Sequence, residues 1–507
     1  MATIGDLMRH RTRLTPQLEA VVSGDDRFTF AELNQMVNRL AHYLNASQVK
    51  RGDRIAIVCN NSVPFPLICL AAAKVGAVVV PINWRLKTDE IRWILEDCQP
   101  RLLFYHEEFE QVEPLSGVFD FLDPLIRVGS GDQMHDSFLD RFASYPSTEP
   151  MVPVLEEDPA FIIYTSGTTG RPKGVILTHA NLHAAGLANF STLDMRLGDR
   201  FLFVTPLFHI SGMVFTAGAL IRGITLVLSM QFHPVEIWDH LEKERVTGMM
   251  SVPSMLNYLW HSLQARESGP ADLRSIICGG SKVPEHLIRA FHERGYPVAQ
   301  VYGTTESTGA ISYWTPEMGI DHCESVGKPV YLTELKIVDP ATGEAMPPGE
   351  MGEIVCRSPQ VFSGYWDNRD ATEEVIRNGW FHTRDVGYLD DEEFLHIVDR
   401  MRDIIITSGE NIFPAQVEAV IQQMDQVAEA AVVGVKHPVW GELARAYVVT
   451  AEGAVLSEEA VLAHTHRQMA EHNLHEVVFV DALPRNEMGK VMKYVLRGHA
   501  NQVTQES

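Results

Sequence analysis

Short apolar runs, four or five residues long, alternate along this chain with stretches whose apolar side chains recur every three or four positions. That alternation predicts an α/β architecture. Residues 54–58, 77–80, 201–204, 225–228, 275–278 and 298–301 read as strands, and residues 30–44 and 234–243 carry helical stripes between them. The most hydrophobic segment, residues 67–80, is interrupted by Lys74 and is too short to cross a bilayer. It reads as a helix passing into a strand inside a soluble core.

Three of these strands lead directly into unusual polar residues. Residues 201–204 run into Thr205-Pro206-Leu207-Phe208-His209, residues 275–278 into Gly279-Gly280-Ser281, and residues 298–301 into Tyr302-Gly303-Thr304-Thr305-Glu306. Ligands of open α/β sheets bind just beyond the carboxyl ends of the strands, so the three segments are expected to converge on one cleft. Residues 333–359 are rich in turn signals and predict an antiparallel region that closes a large domain. The charged run Asp399-Arg400-Met401-Arg402-Asp403 marks the expected boundary, giving domains 1–399 and 400–507. In the second domain residues 404–406, 432–435 and 477–480 read as strands. Phe413, Val417, Val420, Ile421 and Met424 fall on one helical face.

The most informative stretch is residues 164–175, Tyr-Thr-Ser-Gly-Thr-Thr-Gly-Arg-Pro-Lys-Gly-Val. In it Thr165, Ser166, Gly167, Thr168, Thr169 and Gly170 can turn backbone N–H groups inward around an anion and add hydroxyl donors. Lys173 supplies a compact positive charge suited to a phosphate. Apolar runs at 161–164 and 175–177 anchor the loop on both sides, unlike a flexible linker. The spacing is not that of a Walker A loop, because Pro172 stands where a second glycine is needed.

Composition narrows the partners. A 507-residue chain with 45% hydrophobic and 21% charged residues is globular and long enough for more than one domain. The net charge of −24 argues against nucleic acid or an anionic membrane as the main partner, while a local cation such as Lys173 still allows a nucleotide. Six cysteines without a C-x-x-C pair predict buried free thiols in a reducing compartment. The N-terminus lacks the apolar core of a signal peptide, and no segment reads as transmembrane, so a cytoplasmic location is expected.

Seven motifs in register over nearly the whole chain resemble the adenylate-forming (AMP-binding) enzymes, the superfamily of acyl-CoA synthetases, aryl-CoA ligases, beetle luciferases and peptide-synthetase adenylation domains. They are residues 164–174, Pro206-Leu207-Phe208-His209, Tyr302-Gly303-Thr304-Thr305-Glu306, residues 379–385, Asp399-Arg400, residues 408–412 and residues 484–490. The wording is most similar to the fatty-acyl-CoA synthetase branch. The resemblance implies a large N-terminal domain of packed α/β sheets with a β-rich subdomain, and a small mobile C-terminal α/β domain. It implies a two-step reaction in which a carboxylic acid and ATP form acyl-AMP and the thiol of coenzyme A then displaces AMP. The expected partners are therefore these small molecules, and the resemblance is compatible with a homodimer.

The roles implied by the resemblance agree with the chemistry of the residues. The loop from Thr165 to Lys173 would hold the β- and γ-phosphates, and Glu306 would hold Mg²⁺ together with Thr165. Gly279, Gly280 and Ser281 would line the nucleotide site with Tyr302, Gly303, Thr304 and Thr305, Tyr302 offering an aromatic face to adenine. Asp385 would accept hydrogen bonds from the ribose hydroxyls, and Arg400 would assist at ribose and phosphate. Lys490 would bridge the attacking carboxylate and the α-phosphate. Arg402 maps to a hinge, after whose rotation Ser408, Gly409, Glu410 and Asn411 would line the coenzyme A path. His209 would stand near the acyl carbonyl; a hydrogen-bonded histidine at a strand end is the competing reading.

Two departures stand out. Thr383-Arg384-Asp385 replaces the family's Thr-Gly-Asp, so a side chain stands where glycine is common and either the backbone or the nucleotide contacts differ. Residues 471–476 replace a Tyr-Lys-x-Pro turn, which bears on coenzyme A contacts or domain docking. Three readings stay open: an acyl-CoA ligase, an adenylating enzyme that loads a carrier protein, and a catalytically degenerate nucleotide-binding regulator. Joint retention of Lys173, Glu306, Asp385, Arg400 and Lys490 favours the first two, and the seventeen residues after Lys490 hold no carrier domain. Phe208, Ile210, Met213, Phe232, Trp238 and Met255 are expected around the acyl group, which favours an apolar acid.

Overall fold

Strand pairing in the computed structural model follows the predicted alternation. The structure describes residues 2–503 apart from 123, 131–132, 135, 166–171, 267–268, 408–409, 438–439, 471–472 and 486–489. The chain forms two compact units, one of residues 1–334 with 356–381 and the other of residues 335–355 with 382–507. The charged run 399–403 lies within the second unit, at the turn between strands Leu395–Arg400 and Ile405–Thr407.

The first unit contains a nine-stranded and a seven-stranded sheet. Six neighbouring strands of the larger sheet run parallel, in the order Val298–Thr304, Ser275–Gly279, Gly248–Ser251, Arg200–Phe203, Thr225–Leu228 and Glu19–Ser23. From Arg200–Phe203 the chain builds first to one side and then to the other. Its carboxyl end is therefore a topological switch point, where such sheets open a crevice. The smaller sheet has Arg54–Val58 near its centre, with Pro159–Thr165 and Lys173–Thr178 toward one edge.

Local chemistry explains the helices. Thr29 with Glu32 and Thr178 with Asn181 form reciprocal caps at the starts of Phe30–Ala46 and His179–Thr192. Helix Pro64–Val75 is buried at every position and ends on Gly76, whose φ of 70° suits glycine. Lys74 can sit in this apolar helix because its ammonium donates to Asn34 Oδ1 and Asn38 Oδ1, each at 2.7 Å, and to Glu149 Oε2 at 2.6 Å. A buried charge is tolerated when it is so fully paired, and truncating one partner typically costs about 3–5 kcal/mol. All six cysteines are buried and free. No helix among the described residues is long and apolar enough to cross a membrane.

The second unit carries residues 382–389 of strand Trp380–Leu389, paired antiparallel with Leu395–Arg400. It also holds a sheet in the order Glu410–Ile412, Ile405–Thr407, Gly441–Thr450, Val427–His437, with Glu476–Phe479 parallel to Gly441–Thr450. Helix Pro414–Ile421 buries Val417 and Ile421 on that sheet, in a core shared with Val432 and Val448.

Candidate active site

Thr165 ends one strand and Lys173 begins the next, and the two are direct partners across an antiparallel pair. The hydroxyl- and glycine-rich segment is thus flanked by two antiparallel strands, whereas a Walker A loop joins a strand to a helix. Ser166, Gly167, Thr168, Thr169 and Gly170 lie outside the described residues. Next to Lys173, Gly174 has no room for a side chain: a Cβ there would meet Ile162 Cγ2 at 2.7 Å.

The parallel sheet brings three predicted segments to one edge. Residues 204–209, 279–281 and 302–306 all lie at the carboxyl ends of neighbouring or near-neighbouring strands. Strand Val298–Thr304 is longer than predicted, because Tyr302, Gly303 and Thr304 stay in the ladder with an irregularity between Tyr302 and Gly303. Gly303 is required by packing, since a Cβ would lie 1.9 Å from the Gly309 carbonyl oxygen. Gly279 likewise lacks a side chain because strand Val298–Thr304 crowds it: a Cβ there would lie 2.3 Å from Val301 Cγ1. Gly280, at φ 86°, and Ser281 are exposed at the turn.

His209 is the N-cap residue of helix Ile210–Arg222, and its ring lies tilted 4.5 Å from Phe208. Phe208 and Met213 are buried, and Ile210, Phe232 and Met255 are partly buried. Trp238 does not belong with them. It is fully buried, donates from Nε1 to Ser262 Oγ at 2.9 Å, and packs on Tyr296, which precedes the amino end of strand Val298–Thr304. Apolar character suggested a pocket residue, but the helix that carries Trp238 places it in the core at the opposite edge of the sheet.

Two functional candidates escaped the sequence. Buried Asn61 accepts from the Leu207 N–H at 2.8 Å and donates to the carbonyls of Thr205, at 2.8 Å, and Ser229, at 3.1 Å. It ties together the carboxyl ends of two parallel strands around the His209 segment. The second is Tyr365, whose hydroxyl donates to Glu306 Oε1 at 2.9 Å and whose ring lies 5.0 Å below Lys173 Nζ. The signals for both were weak, an Asn-Asn-Ser run after a strand and a Gly-Tyr-Trp after a turn-rich region.

Glu306 sits in the turn between Val298–Thr304 and Gly309–Trp314, not at a helix start. The turn is cross-tied: the Thr304 N–H donates to Ser307 Oγ at 2.9 Å, and Thr308, at φ 51°, donates to the Gln360 carbonyl. Tyr365 occupies one carboxylate oxygen of Glu306, which leaves Oε2 as the second donor atom. Among the described residues no cluster of three or more His, Cys, Asp or Glu side chains could cage a metal. A lone carboxylate oxygen fits Mg²⁺, a hard cation that keeps water and phosphate oxygens as most of its ligands.

In the second unit Asp385 and Arg400 are cross-strand partners, with Arg400 Nε 3.4 Å from Asp385 Oδ1. Asp385 is buried, and its N–H donates to Thr383 Oγ1 at 3.1 Å. Arg384 adopts φ 61°, the left-handed backbone that glycine takes at no steric cost. The arginine therefore keeps the glycine-type backbone within strand Trp380–Leu389. Lys490 is partly buried within electrostatic reach of this pair. Burial, with Arg400 adding to it and Asp385 opposing it, lowers its ammonium pKa to about 7. Arg402 lies in the turn 401–403. Glu410 and Asn411 form the exposed start of strand Glu410–Ile412, whereas Ser408 and Gly409 lie outside the described residues.

Comparison with known proteins identifies the family. Residues 8–366 match the model of the AMP-binding enzymes and residues 416–490 that of the AMP-binding enzyme C-terminal domain. A putative acyl-CoA ligase of Bacillus subtilis, YdaB, is 37% identical over 506 residues, covering 99% of both chains. The long-chain-fatty-acid–CoA ligase FadD13 of Mycobacterium tuberculosis is 36% identical over 508 residues, covering 98% of both. An ATP-bound MatB from Rhodopseudomonas palustris superposes with a TM-score of 0.92 at 29% identity, covering 99% of this chain and 100% of that one. With both family models matched and relatives of this likeness along its length, the chain belongs to the AMP-binding enzyme family.

Proposed function

We propose that the protein converts an apolar carboxylic acid, ATP and coenzyme A into an acyl-CoA, AMP and pyrophosphate. It is an AMP-forming acid–thiol ligase of the acyl-CoA synthetase type. The observation that carries the reading is the presence in one chain of Lys173, Glu306, Asp385, Arg400 and Lys490, each at its place in a motif. A degenerate regulator would have no need of all five.

The first half-reaction brings two anions together, so the protein must act by charge and position. Thr165, Lys173 and the loop between them bind the β- and γ-phosphates, which leave as pyrophosphate. Mg²⁺, when bound, neutralises charge on the phosphates, and Glu306 with Thr165 supplies its protein ligands. Tyr302 and the segments Gly279-Gly280-Ser281 and Gly303-Thr304-Thr305 receive the adenine and ribose side of the nucleotide. Asp385 accepts from the ribose hydroxyls with Arg400 beside it. Lys490 draws the acid's carboxylate onto the α-phosphate. Approach of two anions favours its protonated form, so its lowered pKa rises as substrates bind.

In the second half-reaction residues 400–507 turn about Arg402. Lys490 leaves, and Ser408, Gly409, Glu410 and Asn411 line the path by which the thiol reaches the acyl carbonyl near His209. Phe208, Ile210, Met213, Phe232 and Met255 offer the acyl group an apolar surface without a second cation, which supports an apolar acid over an amino or dicarboxylic acid.

A pyrophosphate-release screen over fatty, aryl, amino and dicarboxylic acids tests this directly. Coenzyme A and a phosphopantetheinyl carrier protein serve as alternative acceptors. Apolar monocarboxylic acids with coenzyme A should give the highest kcat/KM. Turnover with the carrier alone would overturn the choice of acceptor, and preference for an amino or dicarboxylic acid would overturn the choice of acid.

A further inference from the structure

The backbone and side chain of Glu306 are both held by one short segment. The Phe362 N–H donates to the Glu306 carbonyl at 2.8 Å, and three residues later the Tyr365 hydroxyl donates to Glu306 Oε1 at 2.9 Å. Strand Gly364–Tyr365 fixes this grip by pairing with Lys173–Thr178, with Tyr365 opposite Val175. Its ring is buried, packs edge-on to Phe362 at 5.0 Å, and its N–H donates to Thr372 Oγ1 at 2.8 Å. The face of the same ring lies 5.0 Å from Lys173 Nζ, within the range of a cation–π contact. One rigid side chain thus touches both Lys173 and the acidic turn.

Lys173 and Glu306 carry opposite charges, and a direct ion pair between them would occupy both groups before any ligand arrived. Among the described residues no ion pair joins them, and Tyr365 contacts each by a different part of its side chain. The hydroxyl takes Oε1 and leaves Oε2, and the ring face holds the ammonium without occupying its N–H donors in hydrogen bonds.

We propose that Tyr365 is a positioning residue. It aims Glu306 Oε2 at the nucleotide's metal ion and keeps the Lys173 ammonium available to the phosphates by holding the two charges apart. This rests on the reading of Glu306 as a metal ligand. Hydrogen-bond partners of ligating carboxylates typically contribute about 10–100-fold to metal affinity, which sets the expected effect.

The test is binding rather than turnover. Mn²⁺ is titrated by electron paramagnetic resonance into the full chain with a non-hydrolysable ATP analogue, for the wild type, Tyr365→Phe, Tyr365→Leu and Glu306→Gln. The analogue's own affinity without metal is measured by calorimetry. Tyr365→Phe should weaken Mn²⁺ by about tenfold, leave metal-free analogue binding within about twofold of wild type, and leave the circular dichroism spectrum unchanged. Tyr365→Leu, which also removes the ring, should weaken metal-free analogue binding as well. If Glu306→Gln weakens Mn²⁺ but Tyr365→Phe does not, Tyr365 does not position the carboxylate. If Glu306→Gln leaves Mn²⁺ binding unchanged, the metal reading itself fails and this inference with it. If Tyr365→Phe weakens metal-free binding as much as Tyr365→Leu, the role assigned to the ring face is wrong.

Discussion

Lys173 stands directly opposite Thr165 in the antiparallel ladder of strands Pro159–Thr165 and Lys173–Thr178. The pairing fixes the backbone of the lysine at the end of the ladder, and its ammonium lies over the Tyr365 ring. A role confined to the β- and γ-phosphates has a clear kinetic signature. Lys173→Ala should lower kcat/KM for ATP in pyrophosphate exchange by about a hundredfold, the scale for removing one donor to a developing charge. Thioester formation from supplied acyl-AMP and coenzyme A should persist, because that half-reaction contains no pyrophosphate. Equal loss in both would show that Lys173 supports the fold or the acyl site instead.

Lys490→Ala should separate the half-reactions in the same sense. Acyl-AMP formation from acid and ATP should be abolished, while supplied acyl-AMP still gives acyl-CoA at a useful rate. Rapid-quench measurement of each step decides it, and equal loss of both would remove Lys490 from the first step.

The lowered pKa of Lys490 has a consequence for stability in the absence of ligands. A lysine whose pKa is about 7 in the folded protein and 10.5 when unfolded binds a proton more weakly when folded. Its charge therefore destabilises the fold fully below about pH 7, and the penalty fades as pH rises toward the unfolded value. Lys490→Met should raise the melting temperature most at or below pH 7, with the gain shrinking steadily up to pH 10. A gain that does not vary with pH would mean that methionine packing, not the charge, is responsible.

Arg384 bears left-handed strain that glycine would relieve. Left-handed backbone costs a non-glycine residue about 1–2 kcal/mol, and glycine's greater freedom when unfolded returns about 0.5–1 kcal/mol of that. Arg384→Gly should therefore raise the denaturation midpoint slightly, by the equivalent of ~1 kcal/mol or less. A lower midpoint would show that contacts of the arginine side chain outweigh the strain.

Arg402→Pro tests the proposed rotation. In the turn 401–403 the bonds that close the chain run from Asp403 and Ile404 N–H to the Arg400 carbonyl, so proline at 402 removes neither. It locks φ and restricts the preceding residue. The variant should form acyl-AMP, retain it, and fail to discharge it on addition of coenzyme A. Wild-type turnover would rule out a hinge at Arg402. Lost adenylation with an unchanged circular dichroism spectrum would mean that the opposite pose had been locked, which contradicts the expected order of poses.

The motif residues were legible because phosphate and metal chemistry demands particular side chains within a few positions of one another. The parallel strands were legible because a strand buried on both faces reads as a plain apolar run. Tyr302, Gly303 and Thr304 were read as loop because polarity masks a strand whose ladder is held by a glycine pressed against the Gly309 carbonyl. Tyr365 and Asn61 left almost no local signal, because their partners lie 59 and 146 residues away. Trp238 misled for the reverse reason: composition says that a residue is apolar but not which edge of a sheet its helix will cover.

Strand Glu19–Ser23 joins the large sheet beside Thr225–Leu228, with Val21 opposite Leu226. During synthesis at ~5–20 residues per second, the first of these strands waits about 10–40 s before its parallel neighbour exists. Buried Arg11 waits with it, since its guanidinium finally caps the carbonyls of Leu220 and Ile221. Until then Ala20, Val21 and Val22, all buried in the finished protein, have only the hairpin partner Asp26–Thr29. Strand Glu19–Ser23 meanwhile keeps one unpaired edge of the kind that templates association between chains, so folding yield should respond to the rate of translation upstream of residue 228.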